Sequence, residues 1–225
     1  YIKERYRIGM AIKQQDRNLL DKFNEYKKIV DESMSRKLRE NQMWDSFFMF
    51  TMKKASNFSV PGSGKTSSVL GVFAFLQYKG LIDKIVMIGP KNSFGSWVDE
   101  FHKCFNDKKK LNVFNIQNCG SLEEKKKTIL YDTNDKNLLL FNYESLHSIL
   151  NEISSIIDNK TLLVFDEVHK VKAIQGQRAA DALYISQKAN FSITMTGTPI
   201  PNSYADIKNI FNILYHDEYD DFFGF

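Results

Sequence analysis

The sequence predicts an α/β fold, a three-layer sandwich with a mostly parallel central sheet and helices on both faces. Two observations carry this prediction. From Phe58 onward, short β-branched or apolar runs alternate with segments of helical periodicity, the signature of repeated βα units. The residues able to do chemistry fall just after those runs, beyond the carboxyl ends of the strands, where open α/β sheets bind ligands.

Taken in order, residues 1–37 are charged and helix-friendly, with Leu19, Phe23, Tyr26, Val30 and Met34 on one stripe. They read as an N-terminal helical extension of one or two amphipathic helices, too short for sustained heptads. The main unit spans residues 38–225. Its expected strands are Phe58 to Val60, Lys84 to Ile88, Asn112 to Ile116, Leu138 to Phe141, Leu162 to Phe165 and Phe191 to Met195. Val69, Val72, Phe73 and Leu76 mark a helix after the first strand, and Phe94, Trp97, Val98, Phe101 and Phe105 mark another after the second. Ser121, with Glu124 three residues later, opens a third in capping-box spacing.

Composition narrows the class. The 225 residues carry 31 Lys+Arg against 27 Asp+Glu, a net +4 too weak to argue for nucleic acid. Cys104 and Cys119 form neither a CxxC pair nor a disulfide framework. No apolar run reaches the roughly 18 residues of a membrane helix, and Tyr1-Ile2-Lys3-Glu4-Arg5 is no signal peptide. The expectation is a soluble, intracellular protein with no membrane partner. A start at Tyr1 rather than Met reads as a fragment. The lysine runs Lys108 to Lys110 and Lys125 to Lys127 read as solvated faces rather than phosphate patches.

Val60-Pro61-Gly62-Ser63-Gly64-Lys65-Thr66 lies between a strand and an apolar helix, the context of a phosphate loop. Gly62 and Gly64 let backbone amides turn toward a phosphate at the positive end of the new helix. Lys65 would meet the β- and γ-phosphates of ATP, and Thr66 would ligand Mg2+. The first position of the pattern is Ser59 rather than glycine. Asp166-Glu167-Val168-His169 directly follows the run Leu162 to Phe165. There Asp166 would hold Mg2+ through its water shell, and Glu167 would orient and deprotonate the attacking water. Each element also has a plain reading, a helix start without ligand for the loop and an acid-decorated helix terminus for the pair.

Several motifs in order resemble those of superfamily-two helicase-like ATPases, and within them the Swi/Snf-type DNA translocases, over roughly Leu38 to Leu214. Leu38-Arg39-Glu40-Asn41-Gln42 is similar to the family's leucine-arginine-x-x-glutamine element, which implies that Gln42 reads adenine. Gly62 to Thr66 matches motif I, which implies ATP binding by Gln42 together with Pro61, Gly62, Ser63, Gly64, Lys65 and Thr66. Ile88-Gly89-Pro90-Lys91-Asn92-Ser93, continuing through Trp97 and Glu100-Phe101, resembles motif Ia, and Asn142 to Leu146 resembles motif Ib. The resemblance therefore implies nucleic-acid contacts at Pro90, Lys91, Asn92, Ser93 and Tyr143. Asp166 to His169 matches motif II, a DEAH-like box with valine where alanine is more usual, and Lys170-Val171-Lys172 favours the Swi/Snf branch. Met195 to Ser203 resembles motif III, so His169, Thr196, Gly197 and Thr198 would couple nucleotide state to the bound strand. Singly, Gln42 also reads as a helix-edge residue, Tyr143 as a buried aromatic, His169 as structural, Pro90 and Asn92 as turn formers, and the two threonines as loop residues.

The implied whole is the first RecA-like lobe of an ATP-dependent translocase on double-stranded DNA, with ATP and Mg2+ as cofactors and contacts mainly to the DNA backbone. Its partner is a second RecA-like lobe of the same protein, carrying the charge-stabilising arginines. This chain alone is then expected to bind ATP weakly and hydrolyse it poorly. A strand-separating DNA or RNA helicase and a non-hydrolysing nucleotide-dependent binding module are the alternatives.

Overall fold

The computed structural model describes residues 2–171, 176–199 and 205–218. In chain order these form α1 (Ile2–Lys13), α2 (Leu20–Ser33), α3 (Glu40–Met52), β1 (Lys54–Asn57), α4 (Lys65–Tyr78), β2 (Lys84–Gly89), α5 (Phe94–Phe105), β3 (Val113–Asn115) and α6 (Leu122–Tyr131). There follow β4 (Leu138–Asn142), α7 (Tyr143–Leu146), α8 (Leu150–Ile156), β5 (Thr161–Phe165), α9 (Gln177–Ser186), β6 (Phe191–Met195) and α10 (Ala205–Leu214).

The six strands form one sheet in the order β1-β6-β5-β2-β4-β3, and every pairing is parallel. Strands β4, β5 and β6 are buried along their whole length, as sequences covered on both faces must be. Right-handed crossovers decide which helix covers which face. Chain travel from β1 to β2 and from β2 to β3 runs one way across the sheet, placing α4 and α5 on one face. Travel from β3 to β4, β5 and β6 runs back, placing α6, α8 and α9 on the other. Because all strands point the same way, the loops after β1, β2, β4, β5 and β6 emerge at one edge, and that edge gathers the site.

One strand is displaced from its expected place. Phe58 to Val60 is not a strand; β1 lies just before it at Lys54–Asn57. Phe58 and Val60 are 39% and 69% exposed, whereas Ala55 and Asn57 point inward. As an edge strand on β6, β1 needs only a small inward face, and so carries no apolar run.

The N-terminal stripe packs as expected. Phe23, Tyr26, Ile29 and Val30 of α2 are buried and join the same apolar core as α4 and the sheet. Phe23 stacks on Trp44 of α3 with centroids 3.6 Å apart, and Tyr26 exchanges a 2.6 Å hydrogen bond with Ser46. At α6, Ser121 Oγ caps the Glu124 amide at 3.2 Å, while Glu124 reaches back to the Gly120 amide at 3.0 Å. The lysine run after α5 is less solvated than expected. Lys108 caps the end of α2 by donating to the Glu32 and Met34 carbonyls, and the half-buried Lys109 lies over Phe73 and Phe105.

Candidate nucleotide and nucleic-acid site

The loop from β1 to α4 is shaped by its glycines. Gly62 and Gly64 have φ of +80° and +85°, the left-handed region that glycine enters without a Cβ penalty. Ser59, where glycine was expected, has no positive φ, which explains why serine serves there. Its amide donates to Asn57 Oδ1 at 3.0 Å and its hydroxyl to Asp45 at 3.1 Å. The Asp45 carboxyl is pushed above its ordinary pKa, chiefly by burial and partly offset by that hydroxyl.

Gln42 braces the far side of the loop. Its Nε2 donates to the Ser63 carbonyl at 2.9 Å, its Oε1 accepts from the Arg39 amide at 3.0 Å, and the Arg39 guanidinium reaches the same Ser63 carbonyl at 2.5 Å. A Cβ on Gly64 would lie 2.1 Å from Gln42 Nε2. Lys65 Nζ stays inside the loop, donating to the Ser59 carbonyl at 2.9 Å and to Val60 at 3.4 Å.

Asp166 and Glu167 sit where β5 ends. The Asp166 amide still donates to the Ile88 carbonyl at 2.8 Å, and its side chain is buried. Trp97 of α5 donates its indole N–H to Asp166 Oδ2 at 3.1 Å, and Tyr143 donates its hydroxyl to the Asp166 carbonyl at 2.8 Å. Glu167 adopts a left-handed conformation with φ of +48°, which costs a non-glycine residue about 1–2 kcal/mol and is characteristic of functional turns.

His169 Nδ1 faces three oxygens, Thr196 Oγ1 at 2.8 Å, Glu167 Oε2 at 3.2 Å and Thr198 Oγ1 at 3.4 Å. One ring nitrogen serves one of them well at a time, so the acid turn and the Thr196–Thr198 turn compete for it. Thr196 Oγ1 also accepts from the Thr198 amide at 3.1 Å, the local loop role that threonines often take. Gly197 fits against Pro61 of the phosphate loop, where a Cβ would lie 2.8 Å from the proline ring.

Pro61, Pro90, Asn92, Ser93, Asp166, Glu167, His169, Gly197 and Thr198 line one cavity of about 500 Å³. The structure thus brings together the start of the β1–α4 loop, both acids with His169, the turn after β2 and the turn after β6. Lys65 and Thr66 begin α4 behind Pro61 and do not line this cavity. After Gly89, Lys91–Ser93 forms a single 3-10 turn with Lys91 and Asn92 exposed and Pro90 buried.

Tyr143 is a correction. It is 2% exposed, and burial, with Asp166 next, holds its phenol protonated well above the ordinary range. A ring enclosed in this way has no face for a nucleic-acid strand; its work is to hold the acid turn. Trp97, singled out only as part of a motif, touches Asp166 directly. A polar handle on an otherwise buried indole needs an acceptor, and that need was the available signal. Lys172 and Ile200 to Ser203 lie outside the described residues.

The family model described as Type III restriction enzyme, res subunit, matches residues 53–201. ATP-dependent helicase fft1 of Schizosaccharomyces pombe is 26% identical over 160 residues, covering 71% of this chain and 16% of that protein. ATP-dependent helicase FUN30 of Saccharomyces cerevisiae is 26% identical over 159 residues, covering 68% and 13%. The chain therefore spans about a sixth or less of the length of these curated relatives. Among solved structures, the Sulfolobus solfataricus SWI2/SNF2 ATPase core in complex with dsDNA shares the fold, with a TM-score of 0.68 at 20% identity over 84% of this chain and 39% of that one. The match from β1 through the Thr196–Thr198 turn shows that the chain belongs to the family described as Type III restriction enzyme, res subunit, in keeping with the superfamily-two, Swi/Snf-type resemblance of its motifs.

Proposed function

We propose that this chain is the nucleotide-binding lobe of an ATP-driven motor that moves along double-stranded DNA. The observation that carries the reading is the convergence of Pro61, Asp166, Glu167, His169 and Thr198 on one cavity at the carboxyl edge of the sheet. The residues fit a Mg2+-bound triphosphate. Gly62 leaves open space where a Cβ would stand, and the Ser63 hydroxyl in the same loop is buried without a partner. In this reading Gly62, Ser63, Gly64 and Lys65 hold the phosphates, Gln42 holds the loop and meets the base, and Thr66 with Asp166 holds Mg2+. Bound Mg2+ supplies neutralisation of the charge that develops on the phosphates.

The chain's own groups do the rest. Glu167 accepts the proton of the attacking water, its carboxylate aimed by the left-handed backbone turn. His169 passes between Glu167 and Thr196, which lets the state of the acid turn be felt at the turn after β6. Lys91, Asn92 and Ser93 offer charge and hydrogen bonds to a DNA backbone, contacts that position without reading sequence. The arginines that stabilise the transferring phosphoryl group belong to a second lobe.

The test is the ATPase of the intact protein with duplex and single-stranded DNA, in the native form and as Glu167→Gln. A motor on duplex loses turnover in the variant while keeping ATP affinity, and is stimulated more by duplex. Stronger stimulation by single strands favours a strand-separating helicase, and unchanged function in Glu167→Gln overturns catalysis altogether.

A further inference from the structure

Helix α5 starts immediately after the Lys91–Ser93 turn and touches both halves of the nucleotide site. Trp97 and Glu100, three residues apart, project from one side of it. Trp97 donates to Asp166 Oδ2 at 3.1 Å. Glu100 Oε1 accepts from the hydroxyl of Ser67, in the first turn of α4 next to Thr66. Arg36, ahead of α3, closes the cluster, donating to Ser67 Oγ at 2.8 Å and to Glu100 Oε1 at 2.5 Å. Trp97 is 1% exposed, so its indole N–H is committed to Asp166.

We infer that Trp97 and Glu100 are positioning residues, and that α5 is the strut by which whatever binds at Pro90–Ser93 sets the geometry of the Mg2+ carboxylate and of the first turn of α4. The inference rests on the functional reading above and extends it. The indole N–H fixes one oxygen of Asp166 and so the rotamer that presents the other. The carboxylate of Glu100 ties the turn carrying Thr66 to the same rigid helix. A shift at the start of α5 therefore moves both Mg2+-facing elements together, without any contact between DNA and nucleotide.

The test uses this chain and a fluorescent ATP analogue titrated at varied Mg2+. Trp97→Phe keeps an aromatic ring and removes the N–H. It is expected to raise the Mg2+ concentration for half-maximal effect about tenfold, the usual scale for losing a partner of a metal-binding group, while binding without Mg2+ is unchanged. Glu100→Ala weakens binding with and without Mg2+, and Glu100→Gln, which retains an oxygen for Ser67, restores most of it. The second measurement needs no variant of the strut. The chain has two tryptophans, so Trp44→Phe identifies the Trp97 indole resonance, which is expected to shift on adding Mg2+ with ADP and again on adding a short duplex DNA. If the Mg2+ dependence is lost in Asp166→Asn but untouched by Trp97→Phe, or if the resonance ignores both ligands, the strut is wrong while the nucleotide site stands. If the native chain binds no nucleotide, the functional reading fails and the strut falls with it.

Discussion

Replacing Gly64 by alanine tests the phosphate loop with a magnitude that the structure supplies. At φ of +85° any L side chain carries the left-handed penalty of about 1–2 kcal/mol. The new methyl would also meet Gln42 Nε2 at 2.1 Å, so the amide must swing away. That breaks its bonds to the Ser63 carbonyl and from the Arg39 amide, each worth about 0.5–1.5 kcal/mol. The total is about 2–5 kcal/mol. Gly62→Ala is the built-in control, because Gly62 has φ of +80° but nothing within 4 Å of a Cβ, and only the backbone cost of about 1–2 kcal/mol applies. Urea unfolding followed by circular dichroism measures both. In a Gln42→Ala background the excess cost of Gly64→Ala over Gly62→Ala should vanish, since the obstructing amide is gone. Equal costs at the two glycines in the native background, or an excess that survives Gln42→Ala, would refute the packing of Gln42 on the loop.

Three further outcomes follow from the same geometry. Gly197→Ala drives a methyl to 2.8 Å from the Pro61 ring, which cannot swing aside; overpacking of this kind costs about 1–3 kcal/mol, and a fluorescent nucleotide should bind more weakly to the variant. Tyr143→Phe leaves the Asp166 carbonyl without its donor, so thermal unfolding should fall by the equivalent of about 1–3 kcal/mol, while DNA affinity measured by fluorescence anisotropy stays unchanged. Burial raises the folded-state pKa of Asp45 above its ordinary 3.8, so the folded protein binds the proton more tightly than the unfolded chain and stability falls as pH rises from about 3.8 through the raised value. Asp45→Asn, which keeps an oxygen for Ser59, should therefore be more stable than the native chain at neutral pH, and urea midpoints should converge at low pH.

The central strands were legible because burial on both faces forces continuous apolar runs, so Leu138 to Phe141, Leu162 to Phe165 and Phe191 to Met195 declared themselves. The edge strand β1 was not, because Lys54-Ala55-Ser56-Asn57 meets its one inward face with a methyl and an amide, while the more apolar Phe58 and Val60 are a lead-in to the loop. The β1–α4 loop and the acid pair could be located from the sequence because glycines and paired acids beside a strand end stand out against the apolar runs. What sequence could not supply was direction. Tyr143 follows β4 as Lys91 follows β2, yet one points into the molecule and the other out, and only the packing of α7 against the β5 turn decides that. The bond from Trp97 to Asp166 joins residues 69 apart, a distance over which periodicity carries no information.

Nucleotide binding by this chain, measured by isothermal titration with ATP at varied Mg2+ for the native sequence, Lys65→Ala and Asp166→Asn, addresses the central claim most directly. The expected result is ATP binding that depends on Mg2+, falls steeply with Lys65→Ala and loses its Mg2+ dependence with Asp166→Asn. Binding that ignores both substitutions would mean that the phosphate loop and the acid turn do not share a ligand.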